Sequence, residues 1–108
     1  MIQHQAAGGG AWRILSLFEQ FGNVGSEVGR AAKWRGKDEP SAEAAFRRAL
    51  ELLDLTIEDP RWRSRLKEIC RTRELLVAAF FDPERYKTSL ADMERYYFSF
   101  TLAAQLKK

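Results

Sequence analysis

Histidine and cysteine are almost missing from this chain: His4 and Cys70 are its only representatives of either type. That scarcity excludes a good deal of chemistry. Nucleophilic triads and general-base catalysis by histidine need an imidazole held by the fold, whereas His4 sits in the stretch MIQHQAAGGG, which has no helical period. Structural or catalytic zinc takes about four N, S or O ligands, and one Cys with one distant His does not supply them. The Glu-x-x-His pairs of di-iron helical bundles are absent as well. No catalytic residue, no metal site and no cofactor is therefore expected. Cys70 alone cannot close an intramolecular disulfide, which suits a reducing compartment. No apolar run approaches the roughly 20 residues that span a bilayer, and the start lacks the basic and apolar regions of a signal peptide. The expected location is cytoplasmic, with no membrane contact. A net charge of +3 is too slight to argue for nucleic acid by itself.

What is present points to helices. A length of 108 residues, 45% of them hydrophobic and 31% charged, with only 3 Pro, suits one helical domain with a real core. Residues 1–10, ending in Gly8-Gly9-Gly10, read as a flexible leader, and residues 11–108 as the domain. The clearest stretch is Asp38 to Trp62. At 3.6 residues per turn Ala42, Ala45, Phe46, Ala49, Leu50, Leu52, Leu53 and Ile57 share one side, and Glu43, Arg47, Glu51, Asp54 and Glu58 the other. Glu43–Arg47 and Arg47–Glu51 have the i,i+4 spacing of stabilising pairs. Asp38 or Ser41 can cap its start, and Pro60 makes Asp59 the end of this helix and the cap of the next.

A first helix is predicted from Ala11 to Trp34, with Ile14, Leu17, Phe18, Phe21, Val24, Val28, Ala31 and Ala32 inward. Gly22, Gly25 and Gly29 fall into that face, and each costs about 1 kcal/mol relative to alanine. Close packing against a neighbouring helix would offset the cost; the rival readings are a ligand groove or a break at Gly22-Asn23. A third helix is predicted from Pro60 to about Phe81, with Trp62, Leu66, Ile69, Cys70, Leu76, Val77 and Phe80 buried and Arg73 in the middle of that stripe. A buried guanidinium must snorkel out or meet a carboxylate, and Glu94 and Glu27 are the candidates; an anion pocket is the alternative. A fourth helix starts near Pro83 or near Ser89, where Asp92 completes a capping pair. Its seam is Leu90, Met93, Tyr97, Phe100 and Ala104, with a surplus line of Ala91, Phe98, Leu102 and Leu106 beside it.

The fold class is all-α, an up-down-up-down antiparallel four-helix bundle. The surplus line makes Phe98, Leu102 and Leu106 interface candidates, and a homodimer through the fourth helix the preferred oligomer. The leading function is a non-enzymatic interaction module that dimerises and binds a protein partner. A second reading places nucleic acid on the third helix, where Arg63, Lys67 and Arg71 form an i,i+4 ridge of like charge and Trp62 is a stacking surface. The structural alternative is neutralisation of that ridge by Glu51, Asp54, Glu58 and Asp59 of the second helix. A third reading is a bundle that binds a small anion or other ligand through Arg73 and the glycine-lined face.

Residues 11 to 106 resemble, in layout, the HEPN-like helical proteins that partner minimal nucleotidyltransferases, and the four-helix proteins encoded in ribosomal RNA intervening sequences. HEPN ribonucleases carry Arg, four to six residues, then His on a late helix. No His follows Arg71, Arg73, Arg85 or Arg95. The resemblance therefore implies the non-nucleolytic partner role, with a nucleotidyltransferase as the partner.

Overall fold

Residues 10–106 are described by the computed structural model, and every regular element among them is helical. Four long helices carry the fold: α1 (Leu17–Trp34), α2 (Glu39–Glu58), α3 (Leu66–Phe81) and α4 (Leu90–Leu106). A single turn, Trp12–Ile14, precedes α1; a 3-10 segment, Pro60–Arg65, joins α2 to α3; another turn, Pro83–Tyr86, precedes α4. The leader expected over residues 1–10, His4 included, lies outside the described residues except for Gly10, and the domain is described as far as residue 106. No helix among the described residues is long and apolar enough to cross a membrane.

Local chemistry sets where each helix begins. The Ser16 hydroxyl accepts from the Glu19 amide at 3.1 Å, and the Glu19 carboxylate accepts from the Ser16 amide at 2.9 Å. This reciprocal cap starts α1 afresh, with Leu15 extended at ψ 145°. The helix expected from Ala11 is thus broken at Leu15, and Ile14 is exposed rather than inward. Helix α1 then runs unbroken through Gly22-Asn23, which removes the break weighed there as a rival reading. Asp38 caps α2, accepting from the amide and the hydroxyl of Ser41 at 3.2 and 2.8 Å. At the far end Asp59 both closes α2 and accepts from the Arg61 amide at 3.0 Å. The third helix does not begin at Pro60 as expected: its first six residues are 3-10, kinked at Trp62 (φ −105°, ψ 20°). Of the two starts weighed for the fourth helix, Pro83 opens only one turn, closed by Lys87 in left-handed geometry (φ 54°). The long helix follows Ser89, which exchanges caps with Asp92.

Side-chain size decides how closely the helices lie. Helix α1 comes nearest, backbone to backbone, to α2 and α4, while α3 stands further off from α2 and α4. On the α4 side α1 presents glycines: a Cβ on Gly25 would stand 2.7 Å from the Tyr97 Cβ, and one on Gly22 2.7 Å from the Thr101 hydroxyl. Alanines Ala42, Ala45 and Ala49 make up much of the buried stripe of α2. Around α3 the space is filled by larger groups, Ile69, Leu76 and Phe80, with Phe80 stacked on Phe46 of α2 at 4.1 Å between ring centres. Between α1 and α4 lies an aromatic cluster in which Phe21 meets Tyr97 and Phe100 edge-on at 5.4 and 4.9 Å. Such edge contacts add about 0.5–1.5 kcal/mol each beyond burial.

Candidate functional site

The residues singled out in the sequence distribute over three places, and a fourth constellation emerges that the sequence reading passed over. That fourth one lies where the Trp12–Ile14 turn, α1 and the α2–α3 junction meet. Gln20, fully buried, donates from Nε2 to the Trp12 carbonyl at 2.9 Å and to Asp59 Oδ2 at 3.4 Å, and its Oε1 accepts from the Trp62 indole at 3.1 Å. Asp59 is buried too and is clasped by Arg61, whose Nη2 lies 2.7 Å from Oδ2 and 2.8 Å from the Leu15 carbonyl. Hydrogen bonds from Arg61 hold the Asp59 carboxyl down at about 2, against the opposing effect of burial. A signal for Gln20 was available: it stands three residues after Leu17 and four before Val24, inside the apolar period of α1. This constellation joins three chain segments and is fully engaged in doing so.

Trp62 belongs to that node. Its indole N–H is used by Gln20 and its ring carries the Arg61 guanidinium, 4.5 Å from the centre. Of the stacking surface expected at Trp62, the polar edge and one face are thus already used within the fold.

Arg73 is half-buried on the flank of α3 toward α2, not in the middle of its inner face. Its Nε and Nη2 donate to Asp54 Oδ1 and Oδ2 at 2.8 and 3.3 Å. Neither expected partner is the one found. Glu27 is buried and accepts from Arg30 at 3.1 Å and from Arg48 at 3.1 Å. Glu94 is exposed, its carboxylate draped over Gly29, where a Cβ would stand 2.8 Å from it. The displacement of Arg73 has a simple cause. The 3-10 segment takes Trp62 out of helical phase, so the buried stripe of α3 centres on Ile69, Thr72, Leu76 and Phe80 instead. The glycine face of α1, in turn, is occupied by α4 itself, with Tyr97 against Gly25.

Arg63, Lys67 and Arg71 are exposed, and none makes an ion pair with any described residue. Only Lys67 and Arg71 keep the i,i+4 line, because Arg63 lies in the 3-10 segment. Two carboxylates expected to neutralise the ridge are engaged elsewhere, Asp54 by Arg73 and Asp59 by Arg61. A second group of cations, Arg30, Lys33, Arg35 and Lys37, is partly absorbed into the fold. Arg30 pairs with Glu27, and Arg35 lies 3.9 Å over the Phe80 ring while donating to the Phe80 carbonyl at 2.6 Å.

The last group is the outer line of α4. Phe98, Leu102 and Leu106 are 56%, 46% and 87% exposed. They are one helical turn apart, so they form a continuous apolar ridge. Arg95, on the same side, is paired with Asp92 within the helix. Compared with known protein families, with curated proteins and with solved structures, the chain matches none.

Proposed function

We propose that this chain is a non-enzymatic interaction module, an up-down-up-down antiparallel four-helix bundle that pairs with a second copy of itself through the outer line of α4. Supporting the bundle arrangement are the short connections, which favour antiparallel neighbours, and the ring of contacts from α1 to α2, α2 to α3, α3 to α4 and α4 back to α1.

The observation that carries the pairing is the ridge of Phe98, Leu102 and Leu106. These are three of the eight large apolar side chains exposed among the described residues, and the only three aligned on one helix. Apolar area removed from water is worth about 25 cal/mol per Å², so a continuous ridge is the surface an association would cover first. A second copy fits it best. A two-fold axis sets identical surfaces against each other, which a ridge with a charge excess would resist; here Arg95 is neutralised by Asp92 of its own helix.

In this reading the dimer is cytoplasmic and docks a protein partner, which by the HEPN-like layout would be a nucleotidyltransferase. The pairing is tested by sedimentation velocity over a wide concentration range. The wild type is expected to self-associate reversibly, and Leu102→Glu to stay monomeric with an unchanged helical spectrum. A wild type that stays monomeric at every concentration sinks the proposal.

A further inference from the structure

The outer face of α3 does not end with its cations. Arg71 also lines a cleft of about 630 Å³ that runs along α3 to the Pro83–Tyr86 turn, with Glu74, Ala78, Phe81, Asp82 and Tyr86 among its walls. Clefts of roughly 300–1,000 Å³ are the size that takes small ligands or single residues of a polymer. Two of these walls are aromatic rings left in water, Phe81 at 68% and Tyr86 at 55% exposure. The Phe81 ring is nevertheless held firmly, edge-on to Phe46 and Phe80 at 5.6 and 5.2 Å. Tyr86 carries the Arg85 guanidinium 5.5 Å from its centre.

The geometry points to a binding site for single-stranded nucleic acid on this face, with phosphates along Arg63, Lys67 and Arg71 and a base in the cleft between Phe81 and Tyr86. Three observations converge on that class of ligand. The cations make no ion pair with a described residue, and the neighbouring carboxylates Asp54, Asp59 and Glu68 are taken by Arg73, Arg61 and Arg65. Like charges one turn apart repel, and a polyanion laid along them relieves that repulsion while releasing its own counterions. Next to the cations stand exposed rings, and an aromatic face stacks on a base of any identity. Finally, the cleft holds carboxylates of its own, Glu74 and Asp82, neither of which pairs with a described cation. They keep anions, phosphate included, at the Lys67–Arg71 end, while within the cleft they accept hydrogen bonds from the N–H edges of bases. A ligand that is anionic at one end and a flat N–H donor at the other is a nucleotide. A duplex fits poorly, because its bases are stacked inside and cannot reach the rings. The site lies on α3 and does not rest on the pairing through α4.

Fluorescence anisotropy of the full chain with labelled single-stranded RNA, single-stranded DNA and duplex DNA of mixed sequence tests this. Binding to single strands well above duplex is expected, falling as salt rises. Lys67→Gln and Arg71→Gln should each flatten the plot of log affinity against log salt by about 0.7. Phe81→Ala and Tyr86→Ala should each weaken binding about tenfold while leaving that slope unchanged. Phe81 also packs, so its variant is read only if its melting curve stays cooperative; Tyr86, on a single exposed turn, provides the independent test. Equal affinity for RNA and DNA, or a preference for RNA through its 2′-hydroxyls, both agree with the site and identify its natural strand. No binding at low salt, equal affinity for duplex, or a polyglutamate of matched charge binding as tightly as the oligonucleotide would each overturn it.

Discussion

Tyr97 is the largest fully buried side chain among the described residues, and its hydroxyl makes no hydrogen bond of ordinary geometry with any of them. The Thr72 hydroxyl, its polar neighbour, is donated to the Ile69 carbonyl at 3.0 Å. Burial pushes the phenol far above its ordinary value, so the group is neutral at every physiological pH. A buried polar group without a partner costs about 1–3 kcal/mol, while the ring itself is held by Phe21 and by Tyr96. Tyr97→Phe keeps the ring and removes the cost. It is expected to raise the stability in urea by about 1 kcal/mol; a loss of stability would mean that the hydroxyl is satisfied, with Thr72 the group to examine. Arg35 makes the complementary point about single residues. It is one of four cations between Arg30 and Lys37, yet its guanidinium lies over the Phe80 ring and donates to the Phe80 carbonyl, as part of the fold.

At the scale of the element, Gly25 and Gly29 of α1 make distinguishable predictions. A Cβ on Gly25 would press at 2.7 Å on the Tyr97 Cβ, with the Tyr97 backbone only 3.6 Å away, so α4 would have to move. A Cβ on Gly29 would meet only the end of the Glu94 side chain, which can swing aside. Gly25→Ala is thus expected to destabilise by about 2–3 kcal/mol through overpacking. Gly29→Ala should be neutral or stabilising by up to about 1 kcal/mol, since alanine is the better helix former. Thermal melting of the two variants side by side checks the order. What the sequence makes legible here follows local rules: the apolar stripe of α2, the caps at Asp38 and Ser89, the small-residue seam of α1 and the exposed line on α4. The break at Leu15 escaped because the apolar period runs straight through Ser16, although the Ser16–Glu19 pair is a capping signature. The phase of α3 escaped for a different reason. Six residues of 3-10 geometry turn the chain faster than an α-helix does, so extending one helical wheel from Pro60 misplaced Arg73. Its partner Asp54, and the Gln20–Asp59 contact across 39 positions, depend on how separate segments meet.

The molecule as a whole depends on that Asp59 junction, which ties the opening turn, α1 and the α2–α3 connection together. With the Asp59 carboxyl held at about 2 in the fold and an ordinary value of 3.8 outside it, the folded state favours the carboxylate. Its contribution is complete above about pH 4 and fades as the pH falls toward 2. Allowing for the solvent that reaches Arg61, about 1–2 kcal/mol is at stake. Asp59→Asn should therefore be less stable than the wild type by that amount at pH 7, and the two should converge near pH 2. Urea titrations at several pH values measure the gap; a gap that persists unchanged into acid would contradict the role given to the charge.

The glycine seam has one more effect. Because α4 rests directly on α1 at Gly25, the contact residue Tyr97 has no freedom to roll, and its neighbour Phe98 is aimed outward with it. The absent methyl group at Gly25, inside the molecule, thus fixes the compass bearing of the greasy ridge outside it, and whatever meets that ridge finds it already pointed.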